Sequence, residues 1–159
     1  MQTHFAGFNL KDKVVITAGA YTGDTPLYYA YYGAKVYAFE PDPKSFKVAI
    51  KNIGLNPALK KNIILENCAI NHDGQVNFPL SEDSSGSSIY KLKENKSTVV
   101  RSVSISFILE KYKITSPYLL DLDIKGSEFV VINDNGISKF EGIRMELLPL
   151  SCLRQRTAL

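Results

Sequence analysis

Short apolar runs alternate with stretches of helical period along most of this chain. Lys13 to Ala18 is an apolar run ending at a glycine, which predicts a buried first strand. Asp24-Thr25-Pro26 supplies an N-cap and an early-turn proline, predicting a helix over 25–32 that Gly33 ends. Lys35 to Glu40 is the second strand. Pro43 opens a helix whose apolar positions Phe46, Ala49, Ile50 and Ile53 recur at helical spacing up to Gly54. Asp42 is expected to be exposed and to cap that helix. Asn62 to Asn67 is a third strand. From 72 to 104 the rhythm breaks: a turn at Asp73-Gly74, a short strand over 75–78, a polar loop over 81–88, and a half-exposed strand over 98–104. A short helix over 106–112, a fourth core strand over 118–124, a helix over 127–132 and a fifth strand over 142–147 complete the pattern. The order β-α-β-α-β, an irregular insert, then α-β-α-β predicts an α/β fold with a doubly wound parallel sheet.

Composition narrows the class. With 159 residues, 45% of them hydrophobic, the chain fits one domain with a sizeable core. The net charge of +3 is spread along the sequence, so no nucleic-acid footprint is expected, and Lys60-Lys61 reads as a solvated loop. Cys68 and Cys152 form neither a disulfide framework nor a metal-ligand spacing, and with two histidines no metal site is expected. No early apolar segment follows Met1 and no apolar run reaches ~18–20 residues, so the expectation is a cytoplasmic chain with no membrane partner.

The candidate chemistry collects at the carboxyl ends of the strands, where open parallel sheets bind ligands. That rim gathers Ala18, Gly19, Glu40, Asn67, Cys68 and Asp123. Glu40 stands 21 positions after Gly19, the spacing of an acid that binds a ribose diol behind a glycine turn. Gly19 and Gly23 are separated by Ala20, Tyr21 and Thr22, short of the G-x-G-x-x-G of a dinucleotide site, and Asp24 would repel a diphosphate. S-adenosylmethionine carries a sulfonium and no phosphate, so an acid beside it is tolerable. Pro41 follows Glu40 in the loop, and Asn67-Cys68 falls where such folds contact adenine.

The stretch VITAGAYTGDTPLYYA…GAKVYAFEPDP resembles the first motifs of FkbM-family S-adenosylmethionine-dependent methyltransferases, roughly VVDVGANIGDTSLYFA…GAKVIAFEPNP. The resemblance continues in KNIGLNP (51–57), GSSI (86–89) and LLDLDIKGSEFVVI (119–132), similar to the family's LLKIDIEGAEFDVL. It implies a Rossmann-like sheet of order 3-2-1-4-5, with S-adenosylmethionine held by Ala18, Gly19, Ala20, Gly23, Asp24, Glu40, Pro41, Asn67 and Cys68. It also implies a hydroxyl on a small molecule or sugar as acceptor. Asp123 matches the family's aspartate and is the candidate base or acceptor positioner; Glu128 and Glu146 are other acids of that region. Three departures stand out: Thr17 replaces an aspartate, Asp121 a lysine, and Lys125 a glutamate. Thr17 and Asp121 should be neighbours, so Asp121 is either a relocated cofactor-binding carboxylate or a structural acid paired with local donors. After Leu150 only SCLRQRTAL follows, so the last two strands of the fold are expected to be missing. The fifth strand would then be a sheet edge that recruits a second copy or another partner. The alternative of a different class is a non-catalytic nucleoside-binding or interaction module. A nicotinamide-dependent oxidoreductase is disfavoured by the glycine pattern.

Overall fold

The computed structural model describes residues 9–79, 97–124 and 127–145. Five parallel strands form the main sheet: β1 (Val14–Ala18), β2 (Lys35–Phe39), β3 (Ile63–Glu66), β7 (Leu119–Leu122) and β8 (Gly142–Met145). Their order is β3-β2-β1-β7-β8. The expected 3-2-1 half is present. The last two places go to β7 and β8 because the region between supplies a second sheet of its own. That sheet, β4-β6-β5, is built from β4 (Ala69–Ile70), β5 (Gly74–Pro79) and β6 (Ser97–Val103).

The central strands read as largely apolar runs because both faces are covered, with Thr17 and Asp121 as buried polar exceptions. On one face Ile16, Tyr37, Phe39, Leu120 and Leu122 pack with Ile105, Ile108 and Leu109 of α4 (Ile105–Lys111) and Val131 of α5 (Glu128–Ile132). On the other, Val15, Val36, Ala38 and Leu119 pack with Tyr29 and Ala30 of α1 (Asp24–Tyr31). This alternation of covered faces is the doubly wound arrangement.

The helix α2 (Pro43–Gly54) starts where expected, but Asp42 is only 5% exposed rather than a surface cap. Its carboxylate accepts from the N–H groups of Lys44 and Ser45 and from Ser45 Oγ, so burial is offset by three donors. The start of α1 is also a correction. Its cap is Gly23 at φ +92°, and Asp24 lies in the first turn, where the helix dipole favours an acid. Two short elements had no sequence signature: α3 (Pro57–Lys60) and β4. The polar loop 81–88, the GSSI motif, Lys125, Glu146 and the tail 151–159 lie outside the described residues. Among the described residues β8 borders the sheet, with Ile143 43% exposed.

Candidate cofactor and active site

The rim forms at the carboxyl ends of β2, β1 and β7, which lie side by side in the sheet. The chain leaves β1 at Ala18 and turns at Gly19 with φ +87°. A Cβ at Gly19 would overlap the carbonyl oxygen of Asp123, so only glycine fits between the loops after β1 and β7. The N–H groups of Gly19 and Ala20 both donate to Phe39 O at 3.0 Å, and Asp123 N–H donates to Ala18 O at 3.0 Å. Gly23 N–H donates to Ala20 O at 2.8 Å, closing the turn, and Asn52 Nδ2 of α2 donates to Thr22 O at 2.8 Å. Asp24 is exposed at the helix start and accepts from Thr22 Oγ1 at 3.3 Å. The loop 19–24 carries no lysine or arginine.

Glu40 faces this loop from the end of β2 and is 6% exposed. One carboxylate oxygen accepts from Tyr21 N–H at 2.7 Å and the other from Asp42 N–H at 2.9 Å. Burial pushes its carboxyl up to about 7, against the pull of those two N–H groups, and the like charges of Asp42 and Asp123 push the same way. Asp123 therefore shares an electrostatic site with Glu40 although it comes from the far side of β1. Its side chain is exposed at the rim.

Asn67 behaves differently from the expected adenine contact. Its Nδ2 donates to Glu40 O at 2.7 Å and to Pro41 O at 3.2 Å, bracing the acid's loop from the end of β3. Cys68 is fully buried, and burial pushes its thiol up to about 11, so it is an unreactive packing group. Beside it, Glu66 is held by Arg101 at 3.2 Å and by the Lys111 ammonium and the Tyr112 hydroxyl. Burial raises its carboxyl, but those hydrogen bonds and the charges of Lys111 and Arg101 outweigh it and hold the carboxyl below its usual range.

Asp121 requires a correction. It stands opposite Thr17 in register, as expected, but it is 0% exposed and enclosed within the fold. Tyr29 Oη of α1 donates to Oδ2 at 2.7 Å, and Arg144 Nη1 of β8 donates to Oδ1 at 2.6 Å. The carboxylate is bound by local donors, the structural alternative, and is not turned to a ligand at the rim. Thr17 Oγ1 is buried with no hydrogen-bond partner among the described residues. Sequence reasoning missed Arg144. A charged acid inside a central strand needs a cation within reach, and the next strand is where it could have been sought.

A second group also escaped notice. Asn71, just past β4, donates from Nδ2 to Ser127 Oγ at 2.8 Å and so joins the insert to the segment that follows Asp123. Glu128, next to Ser127, is 8% exposed. Among the described residues no group of three or more His, Cys, Asp or Glu side chains is placed to hold a metal ion, and no helix is long and apolar enough to cross a membrane.

A parallel sheet with β1 at its centre, a glycine loop closed against it and a buried acid at the next strand end define a Rossmann-like α/β protein. The comparison with known families is more specific: residues 18–150 match the Methyltransferase FkbM domain, and the chain belongs to that family. No curated protein matches the chain.

Proposed function

We propose that the protein transfers the methyl group of S-adenosylmethionine to a hydroxyl of a small molecule or sugar. The observation that carries this is Glu40: a buried carboxylate, aimed by two backbone N–H groups, facing a glycine loop that contains no cation. A diphosphate would meet Asp24 and no lysine or arginine in that loop. A ligand with a ribose diol and a sulfonium meets acids that suit both. Ala18, Gly19, Ala20 and Gly23 would form the floor beneath it, Glu40 and Pro41 the ribose wall, and the Asn67-Cys68 backbone the adenine side. The bound cofactor supplies an activated methyl group. Asp123, exposed at the rim and close in charge to Glu40, would orient the acceptor near the sulfonium. Displacement at the methyl carbon is in line, so orientation of the acceptor supplies much of the acceleration.

Calorimetric titration with S-adenosylmethionine, S-adenosylhomocysteine and NAD tests this reading. Binding of the first two and not the third is expected. Glu40→Ala should weaken it by about 1.5–3 kcal/mol, the worth of a charge-assisted hydrogen bond. Unchanged affinity in Glu40→Ala would remove the ribose role. The second reading, a binding module without catalysis, is favoured by the enclosure of Asp121 and by Thr17. It predicts cofactor binding without methyl transfer to any hydroxyl.

A further inference from the structure

Asn71 anchors a histidine that the site described above leaves unused. Asn71 is 8% exposed; its N–H donates to Val103 O at 3.0 Å and its Nδ2 to Ser127 Oγ at 2.8 Å. Its Oδ1 accepts from the backbone N–H of His72 at 2.7 Å and lies 2.5 Å from His72 Nδ1. A backbone N–H can only donate, so the atom it meets is the carboxamide oxygen, which can only accept. In the neutral ring, His72 Nδ1 therefore carries the proton and Nε2 the lone pair. This is the tautomer of a base whose orientation is set from behind.

The location matches that role. Asn71 lies in the segment leaving the carboxyl end of β3, and Ser127 lies four residues beyond Asp123 at the carboxyl end of β7. The bond between them ties the segment that carries the exposed His72 to the segment that follows Asp123. Charged neighbours on the surrounding elements are engaged elsewhere: Asp73 accepts from Ser104 N–H and Oγ, Arg101 of β6 pairs with Glu66, and Asp134 accepts from Ser106. Glu128 of α5 is buried beside Ser127.

Resting on the methyl-transfer reading above, we propose that His72 Nε2 takes the proton of the acceptor hydroxyl, with Asn71 as its positioning residue. The acceptor O–H bond breaks and its proton moves to Nε2. An oxygen lone pair forms the new bond to the methyl carbon, and the electron pair of the broken carbon–sulfur bond stays on sulfur. The sulfonium becomes a neutral thioether, and the imidazolium returns its proton to water.

The test uses the full chain labelled with 15N, with His4→Gln so that His72 is the one histidine left. Ring nitrogen shifts at neutral pH should show the Nδ1–H tautomer, and Asn71→Ala should move the ring toward Nε2–H. In parallel, transfer from methyl-tritiated S-adenosylmethionine to a mixture of monosaccharides and methyl glycosides should fall about 100-fold or more in His72→Gln. S-adenosylhomocysteine affinity by calorimetry should stay within about twofold, since the ring is not a cofactor ligand. If S-adenosylhomocysteine does not bind the wild type at millimolar concentration, the methyl-transfer reading fails and the base assignment with it. If it binds, an Nε2–H ring or undiminished transfer in His72→Gln overturns the base assignment alone. Where none of these sugars is methylated, the ring tautomer decides: Nδ1–H upholds the assignment and Nε2–H overturns it.

Discussion

Replacing Arg144 by methionine should destabilise the fold more than replacing its partner Asp121 by asparagine. The two side chains share one ion pair, but their surroundings differ: Asp121 is 1% exposed in its side chain and Arg144 24%. Without Arg144, a carboxylate sits inside the sheet, still accepting from Tyr29 Oη but with no cation paired to it through Oδ1. Breaking a buried pair from that side costs about 3–5 kcal/mol. Without the Asp121 charge, Arg144 can still reach water, and asparagine can still accept from Tyr29, so about 1.5–3 kcal/mol is expected. For a domain of this size each kcal/mol lowers the midpoint by roughly 2–4 °C. Arg144→Met should therefore fall by about 6–20 °C. The double variant Asp121→Leu with Arg144→Met should recover most of that loss, because neither charge is then left in an apolar setting. Urea unfolding and thermal melts of the two single variants and the double one measure this, with S-adenosylhomocysteine affinity as the control. Asp121→Asn that kept its midpoint while losing affinity would refute the argument and restore the relocated-carboxylate reading. So would a double variant no more stable than Arg144→Met alone.

Two further outcomes follow from Glu40. Its carboxyl is raised from 4.5 to about 7 in the folded protein, so the folded state holds a proton that the unfolded state releases in that interval. The stability this contributes is fully present below about pH 4.5 and is lost as pH rises to about 7, a fall of about 3 kcal/mol that Glu40→Gln should flatten in urea titrations across that range. Cofactor affinity should run the other way, rising with pH toward about 7 and then levelling, because ribose hydroxyls donate to the ionised form; a pH-independent affinity would contradict the contact. Asn67→Ala should weaken S-adenosylhomocysteine binding in the wild-type background and have little further effect in Glu40→Ala. Additive losses in that cycle would instead place Asn67 on the ligand itself.

The sheet was legible because its strands are buried on both faces, which makes 14–18, 35–39 and 119–122 stand out as apolar runs between turn residues. The glycine loop and Glu40 were legible for a related reason. Positive φ at Gly19 and an acid at a fixed distance are local requirements, written in consecutive residues. What could not be seen were pairings between distant segments. Asp121 was noticed as an anomaly, but its partners Tyr29 and Arg144 come from α1 and β8. Asn67 was placed at a strand end of the rim, but only the folded chain shows its amide turned to the Glu40 and Pro41 carbonyls. Asp42 was expected to be exposed, whereas the donors that allow its burial include a serine side chain one turn on. The setting of His72 was not legible either, because its support, Asn71 with Ser127, spans 56 positions.

The tight seating of Gly19 against the Asp123 carbonyl bears on how a ligand gets in. With a hydrogen bond from Asp123 N–H to Ala18 O alongside it, the seam between the loops after β1 and β7 is tight and cannot part without breaking the pairing of two central strands. On the β2 side the start of the glycine loop is held by two backbone bonds to Phe39 O, and beyond them Tyr21 N–H is bridged to β2 through the Glu40 side chain. For the cofactor proposed above, exchange should therefore disturb the Tyr21–Glu40 bridge first and leave the β1–β7 seam in place.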